Sequence, residues 1–66
     1  MLPKGTKVKV IRDTEDPNSG WVGATGVIDH YNAFDNDYTI LITSGNVNPE
    51  DGNFAWFGLD ELEVLN

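Results

Sequence analysis

Five short segments with strand-type sequences, each bounded by turn-forming residues, constrain the fold of this chain more than any other feature. Val, Ile, Thr, Tyr, Phe and Trp dominate most of them, and these residue types favour β-structure. In the first segment Val8 and Val10 share one face while Lys7 and Lys9 share the other, as in a half-buried strand. No window shows the helical i, i+3, i+4, i+7 apolar stripe. The sequence therefore predicts an all-β fold with strands at residues 7–12, 26–31, 38–43, 54–57 and 63–65.

The connections between these segments indicate a small barrel. Glycines at positions 20, 23 and 26 predict tight bends where backbone approaches backbone. Residues 58–62 are too few for a stable α-helix and predict one 3-10 turn, with Asp60 as its cap. The polar stretches around them predict solvated loops. We therefore predict one domain over residues 1–66, a closed or nearly closed five-stranded barrel with a 3-10 turn before the last strand.

Size and composition narrow the class of protein. The chain has 66 residues, no Cys and 39% hydrophobic residues, so a small apolar core must stabilise it without disulfides. Secreted domains of this size usually carry disulfides, which predicts an intracellular, cytoplasmic location. No apolar run approaches the ~20 residues of a membrane span, and the N-terminus leads directly into a strand. We therefore expect neither membrane insertion nor a signal peptide.

The charges are divided along the chain. The four basic residues all lie within the first twelve positions, and the eleven acidic residues lie between Asp13 and Glu63, for a net charge of −7. An acidic surface repels nucleic acid and anionic lipid and attracts basic surfaces, so we expect no direct nucleic-acid binding. If the first strand lies beside the last, Lys7 and Lys9 can face Glu61 and Glu63. The remaining surface would then be almost entirely acidic.

Three stretches carry a family resemblance: residues 5–11, with a Gly-x-x-Val-x-Val pattern; residues 21–29, with Gly-x-x-Gly; and residues 53–64, ending in Glu-Leu-Glu-Val. Together they resemble the SH3-like small barrels. Within that class the chain is similar to the KOW-type barrels of ribosomal and transcription proteins. It is more similar, through residues 10–12, 22–23 and 53–55, to the photosystem I reaction-centre subunit IV family. The resemblance implies an SH3-like barrel fold.

The functions of those families do not carry over with the fold. KOW-type barrels usually present basic loops to RNA, and the subunit IV family uses basic residues to dock an acidic electron carrier. This chain has no basic residue after Arg12. It also lacks the acidic-aromatic strand motif of the SH3 domains that bind polyproline.

The sequence gives no support to catalysis. His30 is the single histidine, and Asp29 beside it is expected to point to the opposite face of the strand. No carboxylate would then orient its imidazole. One His and no Cys provide too few ligands for zinc, and the oxygen-rich stretches 35–37 and 48–53 lack EF-hand spacing and are typical of ordinary turns. We therefore predict a non-enzymatic protein without a cofactor or a metal site.

Aromatic and acidic residues remain as candidates for a binding surface. In the segment 54–57, Phe54 and Trp56 share one face and Ala55 and Phe57 the other, so one pair must be partly exposed. Aromatic side chains beside carboxylates are typical of surfaces that bind basic proteins. We predict an interaction module that docks a basic protein surface or a multi-subunit complex. The predicted partner-binding residues are Asp13, Glu15, Asp16, Trp21, Glu50, Asp51, Trp56 and Phe57.

Two other classes of function stay open. A small acidic inhibitor of the viral type would mimic nucleic acid, with carboxylates in place of phosphates, and its binding would fall steeply with salt. An accessory subunit of a larger complex would instead expose an apolar face that aggregates or dimerises when the chain is alone.

Overall fold

The computed structural model describes residues 1–45 and 52–65. Five strands and one 3-10 turn are present in these ranges. The strands are β1 (Lys7–Val10), β2 (Thr25–Asn32), β3 (Asp37–Ser44), β4 (Phe54–Phe57) and β5 (Leu62–Val64), and the turn is Leu59–Glu61. The all-β prediction is confirmed, including the 3-10 turn before the last strand. Glu50 and Asp51 lie outside the described residues.

The strands form one antiparallel sheet in the order β4-β3-β2-β1-β5. The first strand therefore lies beside the last, as expected. Among the described strands the sheet is not closed by hydrogen bonds, because β4 and β5 form its two edges. The sheet instead wraps around its inner face to give a body of 27 × 23 × 21 Å. It is an open, barrel-like sheet and not a closed barrel.

Alternation along the strands places one apolar face inside. At the centre, Ile28 of β2 lies opposite Ile40 of β3, and Ile40 lies opposite Ala55 of β4. Val8 and Val10 of β1 complete the most deeply buried part of this core. Full burial of each of these Ile and Val side chains contributes about 1.5–3 kcal/mol. In β1, Val8 and Val10 are buried while Lys7 and Lys9 are exposed, which confirms the predicted division into an apolar and a basic face.

The pairing of β1 with β5 corrects one expected contact. Lys9 lies directly opposite Glu63, as expected for an opposite-charge pair across two strands. Glu61 does not face Lys7, because Glu61 belongs to the 3-10 turn that precedes β5. In that position the Glu61 carboxylate instead accepts hydrogen bonds from backbone N–H groups.

Gly58 is the N-cap of the 3-10 turn, and Asp60 is not its cap. The Glu61 carboxylate accepts a hydrogen bond from the Gly58 backbone N–H at 2.9 Å, which is the reciprocal half of a capping box. The prediction that Asp60 caps this turn is wrong because Asp60 lies inside the turn, in its first positions. Its carbonyl oxygen instead accepts from the Arg12 guanidinium at 2.8 Å.

Candidate functional site: an acidic groove beside strand β4

The Asp13 carboxylate organises the acidic loop that joins β1 to β2. Its two oxygens accept hydrogen bonds from the Asp16 backbone N–H at 3.1 Å and from the Ser19 hydroxyl at 2.6 Å. The Ser19 oxygen in turn accepts from the Trp21 backbone N–H at 3.2 Å. Asp13 is only 9% exposed. It shapes the loop from within, and the loop presents Glu15 and Asp16 to solvent.

A second set of hydrogen bonds attaches the start of this loop to the 3-10 turn. One oxygen of the Glu61 carboxylate accepts from the Thr14 backbone N–H at 2.9 Å and from the Thr14 hydroxyl at 3.1 Å. The backbone N–H of Ile11 donates to the Glu61 carbonyl oxygen at 2.9 Å. Glu61 therefore joins the acidic loop to the N-terminal end of the 3-10 turn, and its hydrogen bonds hold the two segments side by side.

The two neighbouring aromatic residues of β4 have different environments. Phe57 is 5% exposed and belongs to the core, where its ring meets Trp21 edge-on with centroids 6.2 Å apart. Trp56 is 50% exposed and lies on the outer face of the sheet, across from Thr39 of β3. Of the three aromatics that the sequence offered as anchors, Trp56 is therefore the most accessible, and Phe57 is buried. Trp21 is half-buried against the core.

A groove runs between β4 and the acidic loop. All four residues of β4 form one side of it. The other side includes Asp13, Glu15, Asp16 and Trp21. Six of the eight predicted partner-binding residues therefore line one groove; the other two, Glu50 and Asp51, are outside the described residues. Whether these residues bind a partner stays a prediction, but the structure brings them together.

The groove continues past Trp56 into a second depression with further carboxylates. Asp35, from the β2–β3 turn, and Asp37, the first residue of β3, line it together with Glu61. The sequence prediction missed these three residues as members of the surface. Only the order and curvature of the strands bring the β2–β3 turn next to the loop that starts at Asp13, so no local pattern could have indicated it.

Charge in this region is negative from end to end. Three separate segments supply the carboxylates: the β1–β2 loop, the β2–β3 turn and the 3-10 turn. Among the described residues, no Lys or Arg lines the groove or its continuation. Lys7 and Lys9 are on β1, and the Arg12 guanidinium donates to the Asp60 carbonyl oxygen. A concave surface lined by one sign of charge concentrates the field, so this groove attracts cationic groups.

The structure corrects the expected separation of Asp29 and His30. His30 Nδ1 lies 2.6 Å from Asp29 Oδ2. The pairing of β2 with β3 shifts between Ile28 and His30, as at a β-bulge, where an extra residue interrupts the alternation of faces. Both side chains therefore leave on the same side of the sheet, and the prediction that they point apart is wrong.

This pair belongs to a polar network on the outer face of the sheet. His30 Nε2 lies 3.2 Å from the Thr39 hydroxyl, and the Asn32 side-chain amide donates to Thr39 and to Asp37, each at 2.9 Å. Carboxylate, imidazole and hydroxyl follow each other in the order of a hydrolytic triad. The Thr39 hydroxyl, however, belongs to a residue only 5% exposed and is shared with Asn32. The network therefore fastens β2 to β3.

Removing the Asp13 carboxylate is expected to loosen the acidic loop. In Asp13→Ala the Asp16 N–H and the Ser19 hydroxyl each lose an acceptor, which should lower the free energy of unfolding by about 1–3 kcal/mol. Hydrogen exchange of the Asp16 amide should accelerate. Asp13→Asn keeps one carbonyl acceptor and should show a smaller change. An unchanged exchange rate in both variants would contradict the organising function of Asp13.

Within residues 1–45 and 52–65, no group of three or more His, Cys, Asp or Glu side chains is placed to hold a metal ion. The stretch 48–53 is mostly outside these ranges, so the absence of a metal site stays a prediction. In the same ranges no helix has the length and apolar character needed to cross a membrane.

No protein-family model, no curated protein and no solved structure matches this chain. Its function must therefore be inferred from the chemistry of the groove.

Proposed function

We propose that this chain is a non-enzymatic protein-interaction module whose acidic groove binds a basic segment of another protein. One observation carries the proposal: Trp56 stands half-exposed on a groove whose other side includes carboxylates of the β1–β2 loop. Tryptophan is the residue type that most often dominates the binding energy of an interface. Carboxylates around it would guide and select a cationic partner.

Trp56 and the carboxylates would contribute to binding in different ways. The indole of Trp56 offers a large apolar surface against which the aliphatic part of a Lys or Arg side chain can pack. Glu15 and Asp16 belong to the loop that forms the far side, so the charged end of such a side chain can reach them. Asp13 and Glu61 keep this side in place through their hydrogen bonds to backbone groups.

The resemblance to SH3-like barrels belongs to the same proposal. Strand order β4-β3-β2-β1-β5, with the 3-10 turn between β4 and β5, supports it. So does the position of the acidic loop, which joins β1 to β2 and lies beside β4. Barrels of this class commonly serve as binding modules, which agrees with an interaction function. The resemblance does not identify the partner.

Nucleic-acid mimicry is the second candidate function. It is favoured by the carboxylates that three different segments bring to the groove and its continuation. A protein that normally binds a polyanion could accept such a surface in place of phosphates. Binding of this kind depends mainly on charge, whereas an interface anchored by Trp56 keeps much of its affinity when salt screens the charges.

The outer face of the sheet also supports membership of a larger assembly. Val27, Leu41 and Phe54 lie side by side on β2, β3 and β4, and each is only partly buried. With Trp56 they form an apolar surface adjoining the acidic groove. A partner that filled the groove could also cover this surface.

The test is a comparative capture experiment with the tagged domain. Wild type, the double variant Glu15→Lys/Asp16→Lys and the control Glu63→Lys are exposed to one cell lysate and eluted in steps of rising salt. Glu63 is exposed on β5, opposite Lys9 and outside the groove. We expect a protein retained at about 0.5 M salt by wild type and by Glu63→Lys, but lost from the double variant.

The possible outcomes separate the candidate functions. Equal retention of the same partner by all three proteins would mean that the acidic loop is not the binding surface. If every protein captured by the wild type elutes in the first, low-salt steps, and nucleic-acid-binding proteins are among them, nucleic-acid mimicry is favoured over an interface anchored by Trp56.

A further inference from the structure

Strand β4 has main-chain hydrogen-bonding groups directed away from the sheet. The Ile42 N–H donates to the Asn53 carbonyl at 2.9 Å, which marks that pair as a hydrogen-bonded pair of the β3–β4 ladder. Because such pairs alternate along antiparallel strands, Ala55 and Phe57 direct their backbone groups toward β3. Phe54 and Trp56 direct theirs outward. In the part of the chain that the structure describes, β4 is an edge of the sheet, so no further strand pairs with these groups.

This edge lacks the usual devices that prevent strand addition. Its sequence is Phe-Ala-Trp-Phe, without a charge or a proline, and its four residues pair in continuous register with β3. Natural edge strands are commonly protected by Lys, Pro or a bulge, because an unprotected edge pairs with other chains. The opposite edge differs in this respect, since β5 has three residues and carries Glu63.

The free edge of β4 is also one side of the acidic groove. The groove is lined by all four β4 residues and, across from them, by Glu15 and Asp16. No backbone hydrogen bond joins β4 to the acidic loop among the described residues. The space between them therefore combines a strand edge with a row of carboxylates.

From this arrangement we propose that the groove binds its partner by strand addition: an extended basic peptide segment of another protein pairs with the edge of β4. The inference rests on the proposed function and adds the conformation of the bound segment. Its backbone bonds to the outward N–H and C=O groups of Phe54 and Trp56. Its Lys or Arg side chains, at alternate positions, reach Glu15 and Asp16.

Charge decides against a second copy of this chain as the occupant. Two copies paired through β4 would bring their acidic loops together, and each chain has a net charge of −7. Lys7 and Lys9 cannot fill the groove of their own chain, because both belong to β1, which pairs with β2 on one side and with β5 on the other. The Arg12 guanidinium is bonded to the Asp60 carbonyl oxygen. A basic segment from a different protein meets neither obstacle.

The test uses an acetylated, amidated octapeptide of alternating Lys and Val, titrated into the isotope-labelled protein and followed by NMR. Two further peptides carry N-methyl groups, one on every Lys and the other on every Val. An added strand bonds to an edge through alternate residues, so one methylated peptide should lose at least about tenfold in affinity while the other binds like the parent. Peptide charge and side-chain order are the same in all three.

Hydrogen exchange supplies an internal control. Bound peptide should slow the exchange of the Phe54 and Trp56 amides, which face outward. Ala55, whose amide already faces β3, should change little. Equal affinity of all three peptides, with no new protection at Trp56, would overturn strand addition while leaving a charged groove in place. No binding of any peptide in low salt would count against strand addition and against the proposed function itself, which the capture experiment then tests separately.

Discussion

Replacing Gly26 with Ala is expected to destabilise the folded state severely. Gly26 is a buried residue of β2, and a Cβ atom there would lie 2.3 Å from the Leu41 carbonyl oxygen and 3.0 Å from the Ile42 Cα. Both neighbours are backbone atoms of the interior strand β3, which cannot move without breaking its pairing with β2 and β4. We expect a loss of more than about 3 kcal/mol. A 66-residue domain has a total stability of roughly 3–10 kcal/mol.

Gly58→Ala is the matched control for this prediction. Gly58 has an ordinary extended backbone, with φ −75°, and the atom closest to an added Cβ would be a side-chain oxygen of Asp60 at 3.1 Å. That side chain can rotate away, so the cost should stay below about 1 kcal/mol. Urea denaturation followed by circular dichroism measures both variants. Similar midpoints for the two would show that β2 does not approach β3 as closely at Gly26 as the structure indicates.

The strands were predictable because local alternation and turn residues agree with the final fold. The predicted segment 54–57 coincides with β4, and β2 and β3 each extend one residue beyond the predicted segments at both ends. Tertiary pairing explains the extensions. Asn32 and Asp37 pair across the end of the β2–β3 hairpin, and Thr25 pairs with Ser44 at the other end. No single segment carries that information.

The site was less predictable because it depends on how faces and ends of the sheet meet. Alternation separates Trp56 from Phe57 but does not say which one is buried; the register decides, since Phe57 lies opposite the buried Tyr38. Alternation fails at Asp29, where the shift in β2–β3 pairing places its side chain beside His30. Nor does it foresee Phe34, whose side chain is fully exposed in the β2–β3 turn.

Phe57→Ala is expected to be the most damaging of the large-to-small changes on β4. Phe57 is buried in the core and meets Trp21 edge-on, so its removal leaves a cavity and also removes an aromatic contact. We expect a loss of about 3–5 kcal/mol in the free energy of unfolding. Trp56→Ala, one residue earlier, removes a ring that is already half in water and should cost about 1–2 kcal/mol. Urea denaturation of both variants measures the difference.

Phe57→Leu is the control that separates burial from ring chemistry, since Leu keeps much of the buried volume and should cost less than Phe57→Ala. A greater loss from Trp56→Ala than from Phe57→Ala would mean that the inner and outer faces of β4 are exchanged.

The same two variants separate loss of the fold from loss of binding. Loss of binding in Phe57→Ala would follow from loss of the fold, whereas Trp56→Ala should remain folded. Weaker binding in Trp56→Ala would therefore report on the groove itself.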